Sequence, residues 1–251
     1  MTKSFREIRP PLARRLRLVM TDVDGTLSAD SEHFQPLASE SISLFQEDGI
    51  IVGLVSGRTM PRLDKLVPLL GVRGPLIAEN GGVARLKPGE DLVNLGHTRQ
   101  PALEALFKLK GAFPCIREQR DNNDRMVDVS IDACGVSAED LRSVASDVEI
   151  FDSGYMVHLI APGISKGGTL LRLLSMIDGG ILPEEIIVFG DSTTDASLFQ
   201  LFPNSVLINN PLLSCDQKKT VESLAAYRSE LPVEQGFAEV AQYIIRSRSQ
   251  T

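Results

Sequence analysis

Two aspartates one residue apart, followed by glycine and threonine, stand at Asp22-Val23-Asp24-Gly25-Thr26, directly after the apolar run 16–21 (LRLVMT). Carboxylates so spaced can divide two tasks, one attacking an electrophile while its neighbour moves a proton. At ordinary residue usage a D-x-D-G-T match arises in roughly 0.3% of sequences this long. An acidic turn, in which Asp and Gly serve geometry alone, is therefore the weaker reading. A second acidic segment, Gly190-Asp191-Ser192-Thr193-Thr194-Asp195, follows the apolar run 186–189. Alone it is as readily a helix entry capped by Asp191 or Ser192. Together with Asp22 and Asp24 it brings four carboxylates to the ends of two strands. They repel one another unless a proton or cation lies between them, and hard oxygens that leave room for water and phosphate suit Mg²⁺.

Two further residues fit the same edge. Ser56 ends an apolar run in LVSGR, and Lys166 opens a helix in ISKGGTL. A hydroxyl and an ammonium supply donors to a phosphate dianion and to the charge of its transition state. Gly57 and Arg58 lie beside Ser56, and Asn209 and Asn210 precede Pro211 at another strand end, where a turn explains them equally well. The three histidines, His33, His97 and His158, form no catalytic pattern. G-x-S-x-G, G-x-G-x-x-G and G-x-x-x-x-G-K-[ST] are all absent, which removes the usual handles for a serine hydrolase, a dinucleotide site and a P-loop.

These residues need a scaffold that presents strand ends side by side. Apolar strand-length runs at 16–21, 50–55 and 75–78 alternate with helical spacing at 35–48 and 60–70, the last closed by Gly71. The alternation returns as a helix over 166–177, a strand at 186–189, a helix over 195–202, a strand at 206–208 and a helix over 237–246. β-α-β alternation predicts an α/β fold with a doubly wound, parallel, Rossmann-like sheet, whose active site lies beyond the carboxyl ends of the strands. Between the halves the pattern changes, with helices over 102–110 and 137–147 and strand-like stretches at 126–131 and 155–160. The expectation is a core domain of residues 1–83 and 162–251 interrupted by an α+β domain of residues 84–161.

Composition bounds the partners. The chain has 251 residues, 43% hydrophobic and 24% charged, with 26 basic against 33 acidic side chains for a net charge of −7. This is a folded globular profile, and a net negative chain is a poor general binder of nucleic acid or anionic lipid. Cys115, Cys134 and Cys215 lie far apart with no C-x-x-C pair, and arginines interrupt the N-terminus, leaving no apolar segment of secretory length. The expectation is a soluble, cytoplasmic monomer or homodimer, acting on a small phosphorylated metabolite, with no nucleic-acid or membrane partner.

The sequence resembles a phosphatase of the haloacid dehalogenase superfamily. All four motifs of that family occur in order, as the DVDGT segment, Ser56, Lys166 and the GDSTTD segment, over about 175 residues. The insert falls between the second and third motifs, where the subgroup with a large α/β cap carries it. That subgroup includes Cof-type sugar phosphatases, sucrose-phosphate and glycosyl-3-phosphoglycerate phosphatases, and archaeal-type phosphoglycolate phosphatases. Glu79-Asn80-Gly81-Gly82, Ser153-Gly154-Tyr155 with His158-Leu159, and Phe199-Gln200-Leu201 are similar to the last branch. Many capped relatives have Thr where Ser56 stands, and the hydroxyl is kept.

The resemblance implies that Asp22 is the nucleophile, forming an aspartyl-phosphate, and that Asp24 protonates the leaving alkoxide and then activates water. It implies that Asp22, the backbone carbonyl of Asp24, and Asp191 hold Mg²⁺, with Asp195 as a further ligand or an orienting group. Ser56, Gly57, Lys166, Arg58 and Asn210 would bind phosphate or substrate. Arg117, Arg120, Arg125 and His158 are the candidates to reach the leaving group. A receiver-type phospho-acceptor module needs about half this length and lacks an acid/base at the position of Asp24. A sugar-phosphate or glycosyl-3-phosphoglycerate phosphatase, or a phosphomutase of the same fold, remains the alternative to a phosphoglycolate phosphatase.

Overall fold

The structure, a computed structural model, describes residues 2–30, 33–152, 156–177 and 179–249. Eight strands form the main sheet: β1 (Lys3–Ser4), β2 (Leu18–Thr21), β3 (Ile51–Val55), β4 (Leu76–Ala78), β5 (Val83–Arg85), β10 (Ile186–Gly190), β11 (Ser205–Asn209) and β12 (Tyr227–Pro232). Four more, β6 (Arg117–Glu118), β7 (Val129–Asp132), β8 (Glu149–Asp152) and β9 (Val157–Ile160), form a second sheet. The main sheet runs β1-β12-β11-β10-β2-β3-β4-β5, parallel throughout except for the antiparallel pair β4 and β5.

The central strands are apolar on both faces because both faces are covered. Along β2, Val19 joins one hydrophobic layer while Leu18 and Met20 join the other; along β10, Ile187 and Phe189 alternate in the same way with Ile186 and Val188. Helices α1 (Pro10–Arg15), α2 (Pro36–Glu47), α3 (Met60–Leu70) and α9 (Val233–Arg248) contribute to the first layer. There the Phe237 ring meets Phe189 edge-on at 4.9 Å and Phe45 at 6.1 Å. The second layer takes α6 (Lys166–Leu174), α7 (Ala196–Leu201) and α8 (Cys215–Glu222).

The expected doubly wound core is present, and its edges differ from the sequence reading. After β4 the chain does not simply leave the sheet at Gly81-Gly82. It reverses through Glu79 and Asn80, both in the left-handed region with φ of 50° and 54°, and returns as β5. The expected junction at 83/84 thus falls within a strand of the main sheet. Val93 also donates its N–H to Ala84 there. Toward the opposite edge, β1 and β12 had no sequence signal: β1 is two residues long, and β12, YRSELP, carries three consecutive polar side chains and little buried apolar surface. Polar α8 was missed for the same reason.

The second sheet, ordered β6-β7-β9-β8 and antiparallel throughout, carries α4 (Gln100–Ala112) and α5 (Ala138–Val144). Its hydrophobic cluster draws its buried residues from between Ala102 and Leu159. β8 was not foreseen, and the similarity at Ser153-Gly154-Tyr155 lies outside the described residues. No helix among the described residues is long and apolar enough to cross a membrane.

Candidate active site

Strands β2 and β10 are neighbours, with Thr21 opposite Phe189, so the loops that follow them leave the sheet side by side. The Asp22 N–H donates to the Phe189 carbonyl at 2.9 Å, fixing the first carboxylate at the sheet edge. Gly25 has φ +84°, and a Cβ there would collide with the Asp191 carboxylate and the Asn210 amide. Only glycine lets the two acidic loops approach this closely.

Lys166 is the first residue of α6, whose N-cap Ser165 accepts the Gly168 N–H. Its side chain is 2% exposed, and its Nζ donates to Asp22 Oδ1 at 2.7 Å, Asp195 Oδ1 at 2.7 Å and Thr194 Oγ1 at 3.3 Å. The second Asp195 oxygen accepts the backbone N–H groups of Asp191 and Ser192. Asp195 thus ties the lysine to the loop that carries Asp191. One oxygen each from Asp22, Asp191 and Asp195 can lie within 4.8 Å of one another, and all three residues are buried.

Burial, reinforced by Asp195, Asp191 and Asp24, raises the Asp22 carboxyl well above its ordinary range against the pull of Lys166. Asp191 is pushed up to about 7 by burial and by Asp195, despite its hydrogen bond from Asn210. Lys166 goes the other way: burial would lower its affinity for a proton, but Asp195 and Asp22 raise it above the usual value, so it stays charged.

The structure brings Asp24, Ser56, Gly57, Arg58 and Asn210 to the same cavity of about 340 Å³, with partners that sequence did not reveal. Ser56, at the end of β3, accepts the Arg58 N–H on its hydroxyl. Arg58 forks onto Asp24, Nε to Oδ2 at 2.8 Å and Nη2 to Oδ1 at 2.6 Å, so both oxygens of that carboxylate are held. Asn210 donates to Asp191 Oδ2 at 2.5 Å, whereas Asn209 lies against Lys218 and Ser229 beside a different cavity.

From β9 comes His158, and from the segments between the strands of the second sheet come Asp121, Arg125 and Met156. The Arg125 side chain is 1% exposed and bonds Asp121 at 2.7 Å, Asp128 at 2.5 Å and, across to the main domain, the Gly57 carbonyl at 3.1 Å. His158 Nδ1 lies 2.8 Å from Asp128 Oδ2. Arg117 and Arg120 line a neighbouring cavity and are not among the residues of this one.

Three residues escaped the sequence reading of the site. Glu79, fully buried, accepts the N–H groups of Met126, Val127 and Asp128 and so ties the second sheet to the end of β4. Asn80 lines the cavity, and its buried Nδ2 has no partner among the described residues. Arg62, on the first turn of α3, lines it too. The E-N-G-G segment was noticed as a likeness only; the left-handed pair that aims Glu79 and Asn80 depends on the hairpin into β5.

A buried lysine set among strand-end carboxylates, beneath a second sheet that roofs the cavity, suits the handling of a phosphoryl group, and the class is a capped α/β phosphatase. The family model for haloacid dehalogenase-like hydrolases matches residues 19–123 and 130–214, and the chain belongs to that family. It is 32% identical over 230 residues to a phosphoglycolate phosphatase of Methanospirillum hungatei, covering 90% of this chain and 95% of the relative. A phosphoglycolate phosphatase of Halorubrum lacusprofundi is 33% identical over 208 residues, covering 80% and 85%. Among solved structures, a Thermoplasma acidophilum protein superposes with a TM-score of 0.76 at 25% identity, covering 91% of this chain and 98% of that one. The sucrose-phosphatase of Synechocystis shares the fold with a TM-score of 0.70 at 18% identity, covering 92% and 98%.

Proposed function

We propose that this phosphatase hydrolyses a small phosphomonoester bearing a carboxylate, of the phosphoglycolate kind, by transfer of the phosphoryl group to Asp22. The observation that carries the reading is the Asp22 carboxylate at the cavity floor, one oxygen held by Lys166 at 2.7 Å. The names of the relatives support the substrate class, and the cavity is of a size for a small ester.

The donor set fits Mg²⁺. Three buried carboxylates share a space that one lysine only partly neutralises, and burial with mutual repulsion drives two of them toward protonation. Asp22, Asp191 and the Asp24 carbonyl would hold the ion, with Asp195, both of whose oxygens are already bonded, orienting Lys166 and the loop. When bound, Mg²⁺ supplies charge neutralisation at the phosphoryl oxygens.

The chain's own residues divide the rest of the work. Asp22 attacks phosphorus, and the bond to the leaving oxygen breaks. Lys166 and Ser56 hold the transferring group in line and stabilise its charge. Asp24 delivers a proton to the leaving alkoxide and later takes one from the water that hydrolyses the aspartyl-phosphate, which requires Arg58 to release at least one of the two oxygens it holds. The insert, residues 84–161 in the sequence reading, acts as a cap that excludes water and selects the leaving group.

Phosphate release tests the substrate class. kcat/KM for phosphoglycolate should exceed that for hexose phosphates; a preference of about tenfold the other way, ~1.4 kcal/mol of transition-state binding, overturns it.

Metal dependence has its own signature. Between the ordinary carboxylate value of 3.8 and about 7, the folded metal-free protein binds more protons at Asp191 than the unfolded chain does. Its stability therefore falls as pH rises through that window. A cation that takes the proton's place binds more tightly at the upper end. Mg²⁺ should raise Tm more at pH ~8 than at pH ~5.5, and exhaustive chelation should abolish turnover. Equal increments at both pH values, or full activity after chelation, contradict the assignment.

A further inference from the structure

Five side chains able to carry positive charge line the cavity: Arg58, Arg62, Arg125, His158 and Lys166. Four of them have a carboxylate partner, Arg58 with Asp24 at 2.6 Å, Arg125 with Asp128 at 2.5 Å, His158 with Asp128 at 2.8 Å and Lys166 with Asp22 at 2.7 Å. The fifth, Arg62, makes no side-chain hydrogen bond or salt bridge among the described residues. It lies exposed at the mouth of the cavity, with only a long-range attraction toward Asp121.

Its placement runs against local preference. Arg62 is on the first turn of α3, where the helix dipole disfavours a cation. It is also shared with the neighbouring cavity, lined by Arg117 and Arg120. The acids of that cavity are already engaged: Glu118 with Lys110, Asp121 with Arg125, and Asp132 with the Cys134 N–H. Arg62 therefore shares this cavity with two other arginines and with acids that are bonded to other partners, on a chain whose net charge is −7.

We infer that Arg62 binds an anionic group on the substrate at the end remote from the phosphoryl group, and so selects acidic phosphomonoesters over neutral ones of the same size. The inference rests on the phosphatase reading above. Asp22 and Lys166 hold the phosphoryl end, and Arg58 is committed to Asp24. Arg62 is thus the cation of the cavity whose guanidinium is available for a bidentate contact with a carboxylate.

The test uses esters matched in pairs, phosphoglycolate with 2-hydroxyethyl phosphate and 3-phosphoglycerate with glycerol 3-phosphate, and follows phosphate release. In the unmodified enzyme the acidic member of at least one pair should have the higher kcat/KM. Arg62→Gln, at an exposed position that the fold does not need, should cut that preference about tenfold, ~1.4 kcal/mol, chiefly through KM. It should leave the neutral member within about twofold. Arg120→Gln removes the same charge from the neighbouring cavity alone and should change the ratio less than about twofold, with Arg62→Lys falling between.

A preference that survives Arg62→Gln overturns the role of Arg62 while leaving the acidic-substrate reading intact. Equal loss on both members of a pair moves Arg62 to the phosphoryl end and also overturns the inference. Absence of any preference in the unmodified enzyme refutes both the inference and the carboxylated-substrate reading, whereas no phosphate release from any ester refutes the phosphatase reading itself.

Discussion

Asp22→Asn is expected to lower kcat by ~10⁴-fold or more, because the amide cannot attack phosphorus and no other carboxylate in the cluster can take its place. Asp191 is held by Asn210, and both oxygens of Asp195 are bonded to Lys166 and to backbone N–H groups. Asp24→Asn should behave differently. It keeps the nucleophile and removes the proton relay, a loss of about 10²–10⁴-fold with an alkyl ester. With p-nitrophenyl phosphate, whose leaving group needs no proton, it should release about one equivalent of nitrophenol in a burst and then stall, because water activation is still missing. Rapid-mixing kinetics on the two variants separates them. A burst from Asp22→Asn, or identical losses on both esters in Asp24→Asn, would count against the division of roles.

Lys166→Met should damage stability as much as activity. The ammonium, 2% exposed, bonds two buried carboxylates, and breaking such a pair by removing one partner costs about 3–5 kcal/mol. The direction with pH follows from the charges. Lys166 holds the proton affinities of Asp22 and Asp191 down, so without it both rise further. The folded variant then keeps protons at these two carboxyls that the unfolded chain gives up, so the loss should grow as pH rises from ~5 to ~8, on top of a part at every pH from leaving Asp195 without its partner. Thermal unfolding in the absence of divalent metal measures this. A destabilisation that is uniform across the range would mean that Lys166 does not act through the protonation of those two carboxyls.

The chemistry was legible in the sequence wherever it depends on local order. An apolar run ending in DVDGT, and another ending in GDSTTD, can be read as strands delivering carboxylates to one sheet edge, since short buried parallel strands have a compositional signature. The partners were not legible. Beyond Lys166, already placed at the Asp22 edge, Arg125 reaches the Gly57 carbonyl across 68 residues, and Glu79 gathers three N–H groups 47 to 49 residues away. No spacing rule links residues so far apart.

Arg58 shows the same limit. Beside Ser56 it reads as a substrate ligand, while the structure places its fork on Asp24. Arg62, with no motif around it, gains its meaning from the carboxylates that occupy every other cation in the cavity. The edges of the sheet were missed for another reason: β1 and β12 are short or half-polar, and such strands form because a neighbour is available rather than because their own residues demand it.

The account stands on Asp22 carrying the phosphoryl group. The most direct measurement is to mix enzyme with labelled substrate, quench in acid within one turnover, and map the label by peptide mass spectrometry, using Asp24→Asn to slow hydrolysis of the intermediate. The prediction is one phosphoryl group on the peptide that contains Asp22, absent from Asp22→Asn. Label on any other residue, or turnover without a phosphorylated enzyme at any quench time, contradicts it.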